Sequence, residues 1–95
     1  MGKPAQRDGD PNDGGAKINT VLQSTVFCNT ELLSVDGSYG TATNCGIGVH
    51  AASVWKTANG SSTVKVGGIP VNRDDDIDTC LVHKRTSGSS NVNIG

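Results

Sequence analysis

Large apolar side chains are scarce: the chain holds one Trp, one Tyr, one Phe and one Met in 95 residues, and 34% of it is hydrophobic. A core built from so little is thin, and a chain of this size needs a staple: disulfides, a metal or a covering partner. Disulfides fit poorly. Three cysteines is an odd number, and the opening MGKPAQRDGD lacks the apolar run of a secretion signal, so synthesis in a reducing cytosol is expected. No segment is apolar for long enough to span a bilayer. The net charge of −1 offers no basic field for nucleic acid or an anionic membrane. No stretch carries a helical apolar stripe.

What the chain does have is 13 glycines with many Ser, Thr, Asn and Asp, separating short segments rich in Val and Ile. That pattern predicts an all-β fold of short strands and frequent turns, one domain spanning residues 1–95. Two segments match closely, GSSTVKVG (Gly60 to Gly67) and GSSNVNIG (Gly88 to Gly95), and LQSTVFCN (Leu22 to Asn29) is a weaker third copy. Ser24, Ser62 and Ser90 are 38 and 28 residues apart, a spacing that means one supersecondary unit used several times.

The repeat wraps around the chain. GIPVNRDDD (Gly68 to Asp76) follows the second copy, and its counterpart GKPAQRDGD (Gly2 to Asp10) stands at the opposite end. The middle counterpart is TELLSVDGS (Thr30 to Ser38), with Leu32 for Pro and Val35 for Arg. Gly95 thus corresponds to Gly67 and Gly2 to Gly68, so the chain ends are expected to complete one shared repeat, with Asn91 to Gly95 beside Gly2 to Arg7. Three such units form a ring with approximate three-fold symmetry, which lets one chain match a trimer end-on. Alternation puts Val26, Val64, Val92 and Cys28, Val66, Ile94 on the core face, with Ala5, Leu33 and Val71 as a further layer. Phe27, Lys65 and Asn93 fall on the outer face. The Gly-x-Pro element is expected to turn the chain after each strand.

Cys45 and His50 form CGIGVH, and Cys80 and His83 form CLVH; each pair shortly follows the Arg/Asp end of a unit. Two loops of a three-fold ring converge near its axis, and four such ligands suit one tetrahedral structural ion, zinc more readily than iron. Cys28 stands where Val66 and Ile94 stand in the other units, a slot for a thiol packed as a small hydrophobe. The loop from Asp10 to Lys17 has no Cys or His. Asp74, Asp75, Asp76 and Asp78 raise the question of catalytic carboxylates, but a run of Asp in a turn reads first as a solvated loop. No enzyme is expected.

With these residues in view, GKPAQRDGD resembles the Pro-Ala-Ala-Arg signature of the PAAR-repeat proteins, with Gln6 for the second Ala, and GSSTVKVGGIPVNRDDD and GSSNVNIG resemble that family's strand-turn units. The resemblance covers nearly the whole chain, Gly2 to Gly95. It implies a small cone of β-hairpins with pseudo-three-fold symmetry and a metal-stapled apex, docked by its base on a trimeric β-helical spike. Members of the family sharpen the membrane-piercing spikes of contractile phage tails and type VI secretion systems. The expectation is therefore a structural spike tip, one chain per trimer, with Phe27, Lys65 and Asn93 towards the spike. It would bind no nucleic acid, have no membrane anchor and take no substrate. Location in a virion, at the tail baseplate, fits a chain without an effector domain. The rivals are a secretion tip carrying effectors, made in the bacterial cytoplasm and exported, and a zinc-stabilised protein-binding adaptor.

Overall fold

The computed structural model describes residues 2–40, 55–79 and 83–95. Among them the fold is all-β. Its strands are β1 (Lys3–Pro4), β2 (Phe27–Cys28), β3 (Glu31–Leu32), β4 (Lys65–Val66), β5 (Ile69–Pro70) and β6 (Asn93–Ile94). They pair antiparallel as β2 with β3, β4 with β5, and β1 with β6. The first two are hairpins with two-residue turns. Asn29 and Thr30 make one, with φ of 54° and 73°, and Gly67 and Gly68 make the other, with φ of 57° and 83°. Positive φ at both turn residues matches the right-handed twist of the flanking strands, and glycine adopts it without strain. The third pair joins the two ends of the chain, Lys3 opposite Ile94 and Pro4 opposite Asn93, in the register that β4 and β5 use. Pro4 and Pro70 lie within the returning strands. The turn expected of Gly-x-Pro is made one step earlier, by the residue pair preceding the x.

The units are tied together through the segments that follow β1, β3 and β5. Gln6 N donates to Asn72 O (3.1 Å), Asn72 N to Ser34 O (2.9 Å) and Ser34 N to Gln6 O (2.9 Å), a closed circuit of backbone hydrogen bonds. A second circuit repeats the scheme: Asp8 N to Leu32 O, Asp36 N to Pro70 O and Asp74 N to Pro4 O, each 2.9 Å. Isolated bridges follow the same order, Ala5 with Arg73, Arg7 with Leu33, and Val35 with Val71. Inside this ring sit Ala5, Cys28, Leu33, Val35, Val71 and Ile94, with Val64, Val66, Ile69 and Val92 packed against them. The further layer expected of Ala5, Leu33 and Val71 is buried. Val26 departs from expectation: it is 38% exposed. Its unit has Leu22 where the others have glycine, and Leu22 is itself exposed.

The repeated Ser motif has a concrete job. Ser61 Oγ accepts from Thr63 N and Val64 N at 3.1 and 2.9 Å, and Ser89 Oγ accepts from Asn91 N and Val92 N at 3.2 and 3.0 Å. In the middle unit Gln23 Oε1 takes the same role for Thr25 N and Val26 N, at 2.9 and 2.8 Å. These side chains satisfy backbone donors that the tight bend leaves without a ladder partner. The first serine of each Ser-Ser pair is therefore the working one, and Ser62 and Ser90 point to solvent. The preceding glycine is forced by close approach: a Cβ on Gly88 would lie 2.5 Å from Ala5 O and 2.6 Å from Asp74 Oδ1.

Candidate functional site

Beyond the ring, each unit sends out an arm. The first spans residues 10–18, the second leaves at Ser38 and returns at Thr57, and the third leaves at Asp76 and returns at Arg85. Their bases are equivalent: Ile18 N donates to Asp10 O, Thr57 N to Ser38 O and Arg85 N to Asp76 O, at 3.1, 2.7 and 2.8 Å. The arms also adjoin one another. Tyr39 N donates to Thr20 O (3.0 Å), Thr79 N to Lys56 O (2.9 Å) and Asp13 N to Lys84 O (2.8 Å). Cys45, His50 and Cys80 lie outside the described residues. Of the residues beside them, Thr79, which precedes Cys80 in sequence, is bonded through its N to Lys56 O.

His83 is described, and it is held. Its Nδ1 lies 2.8 Å from Asp13 Oδ1, across 70 positions of sequence, on a side chain only 18% exposed. A histidine whose Nδ1–H is taken by a carboxylate is arranged as metal-ligating histidines usually are. Among the described residues no group of three or more Cys, His, Asp or Glu is placed to hold a metal ion. The donor chemistry of Cys45, His50, Cys80 and His83 suits zinc, and the Asp13 contact on the one described member fits that use.

Beneath His83 the arms enclose a buried polar cluster. Asp78 and Arg85 are both fully buried, with Arg85 Nε 3.7 Å from Asp78 Oδ1, an ion pair beyond hydrogen-bond reach. Asn12 Nδ2 donates to Asp78 Oδ2 at 3.0 Å, and Arg85 Nη2 donates to Ala16 O at 2.6 Å. The guanidinium lies over the Trp55 ring, 5.2 Å from its centroid, and Ala16, Ile18 and Trp55 form a second apolar cluster. Burial pushes the Asp78 carboxyl up to about 6, against the opposing pull of Arg85 and the Asn12 hydrogen bond. Burial lowers Arg85, against the pull of Asp78. The Asp run is thus not the solvated loop expected from sequence. Of the four only Asp75 is exposed, while Asp76 and Asp78 are buried.

Asp76 illustrates the other use of these carboxylates. Arg73 Nη2 meets Asp76 Oδ1 at 2.8 Å and Arg73 Nη1 donates to Gly95 O at 3.0 Å, fastening the end of the chain to the third unit. Arg7 repeats the arrangement with Asp10, and its Nη1 reaches Asn29 Oδ1 at 3.2 Å. Both guanidinium groups are held above their ordinary range by the hydrogen bond to the neighbouring carboxylate. Val35 and Ser38 occupy these positions in the middle unit, so the third junction has no such clamp.

Phe27, Lys65 and Asn93 occupy one equivalent position on the three strand pairs, opposite Leu32, Pro70 and Pro4. All three are exposed, Phe27 to 60%. Cys28 is a free, buried thiol, as its place in the repeat implied. The Asp78–Arg85 pair and the Asp13 contact were not foreseen. The only signal for the first was an Arg returning two residues after His83 in a chain otherwise short of core. No helix among the described residues is long and apolar enough to cross a membrane. The chain matches no protein-family model, and no curated protein matches it.

Proposed function

We propose that this chain is a structural tip that caps and sharpens a trimeric β-helical, membrane-piercing spike, most naturally that of a phage tail baseplate. The observation that carries the reading is the closed circuit from Gln6 to Asn72 to Ser34 and back. Three strand pairs in one register, linked head to tail, give a monomer a trimer's outline, and a single chain can then meet three identical subunits at once. Phe27, Lys65 and Asn93, one exposed residue per strand pair, are the positions offered to those subunits. The strand edges beside them can extend the spike's own β-structure.

Cys45, His50, Cys80 and His83 would hold one structural zinc or iron at the apex. The ion supplies a crosslink between arms whose only described apolar support is the small cluster around Trp55, and structural zinc can contribute on the order of 10 kcal/mol. Force arises elsewhere in such a machine, so this part serves by shape and rigidity. Mixing the protein with a trimeric β-helical spike fragment and weighing the complex by native mass spectrometry tests the reading. One chain per trimer is expected; no complex, or one chain per subunit, overturns it. Elemental analysis should find about one zinc or iron per chain, lost in Cys80→Ser.

A further inference from the structure

We infer that Asp13 is a positioning residue for the metal: its carboxylate holds Nδ1 of His83 and so commits that histidine to ligate through Nε2. The inference rests on the metal reading above and adds to it a role for the arm that has no Cys or His.

The mounting of Asp13 is rigid on both sides. Asn12, buried just before it, accepts from Gly14 N and Ala16 N at 2.9 Å each and so shapes the bend. Asp13 N is bonded to Lys84 O, and Asn12 bridges Arg85, so the backbone of the first arm is fixed against the residues that flank His83. The carboxylate then reaches the ring at 2.8 Å while remaining 43% exposed. A polar contact this open to solvent adds little to folding, typically under about 1 kcal/mol. Its fixed geometry makes sense as orientation. An imidazole has two candidate ligand atoms and a rotatable ring. A carboxylate on Nδ1 keeps the proton there, stops the ring turning and strengthens Nε2 as a donor.

The test compares wild type, Asp13→Asn and Asp13→Ala in zinc affinity, by competition with a chromophoric chelator, and in stability of the metal-free protein. Loss of such an outer partner is expected to weaken zinc about 10- to 100-fold, more in Asp13→Ala than in Asp13→Asn, with metal-free stability little changed. Nitrogen-15 spectra of the zinc-loaded wild type should show His83 Nε2 bound and Nδ1 protonated. Unchanged affinity in both variants, zinc on Nδ1, or an affinity loss matched by an equal loss of metal-free stability would each overturn the role of Asp13 while leaving the metal site standing. A wild type that binds neither zinc nor iron overturns the metal reading, and this inference with it.

Discussion

Joining Gly95 to Gly2 by a peptide bond, with Met1 removed, should give a more stable protein with the same fold. Ile94 and Lys3 face each other in the register of Val66 and Ile69, and those two are connected by Gly67 and Gly68 at φ of 57° and 83°. The new Gly95–Gly2 link would supply the same residue pair for the same turn, so little strain is introduced. Closing a loop of nearly a hundred residues removes about 4–5 kcal/mol of unfolded-state entropy on a chain-entropy estimate, and typical closures deliver about 2–4 kcal/mol. Even about 2 kcal/mol should raise the melting temperature by about 8–16 °C in a domain of this size. The assay is urea and thermal unfolding of linear and cyclic forms under one buffer and one metal condition. Reopening the cyclic chain between Gly67 and Gly68 should return it near the linear protein's stability. A cyclic form less stable than the linear one, or a reopened form that does not fold, would refute the equivalence of the three strand pairs.

Three smaller perturbations bear on the same architecture. Gly88→Ala should cost about 1–3 kcal/mol in urea unfolding, because its Cβ meets Ala5 O and Asp74 Oδ1. Ser61→Ala and Ser89→Ala should each cost about 0.5–2 kcal/mol by loss of two backbone partners, whereas Ser62→Ala and Ser90→Ala should stay within about 0.5 kcal/mol; equal effects at both positions would contradict the assignment. Asp78 gives a pH dependence. Its folded value of about 6 lies above the ordinary 3.8, so the ionised form disfavours the fold and the penalty fades as pH falls through 6. From pH 7.5 to 5 the metal-free wild type should gain about 1–1.5 kcal/mol relative to Asp78→Asn, and a gap independent of pH would refute it.

Much of the ring was legible in the sequence because it is written three times. Gly60 to Gly67 against Gly88 to Gly95, with Gly2 to Asp10 as the displaced remainder, foretold that β1 would pair with β6. Matching letters do not show which of them carries a bond, and it is the first serine of each pair that caps the turn. Val26 was misplaced because its unit lacks the glycine that draws the strand inward in the others, a departure visible as Leu22 but without an obvious sign. The polar circuit through Gln6, Ser34 and Asn72 was hidden for a different reason. Its bonds are made by backbone groups, and side chains at those positions share only polarity. The burial of Asp78 and Arg85 was illegible because a charged residue is assigned to solvent unless its partner can be named, and these two meet only once the arms fold together.

The circuit through Gln6, Ser34 and Asn72 also constrains how the protein is made. None of its three bonds joins close neighbours, and the last strand needed to finish the ring is β6. A nascent chain emerging from the ribosome can close the circuit once Asn72 is free, but it lacks the β1–β6 pair, and with it Ile94 of the core, until β6 emerges, and distant pairings of this kind form slowly. Folding should begin late and finish when β6 joins β1. Ribosome-bound chains stalled before β6 should be more sensitive to protease than the finished chain.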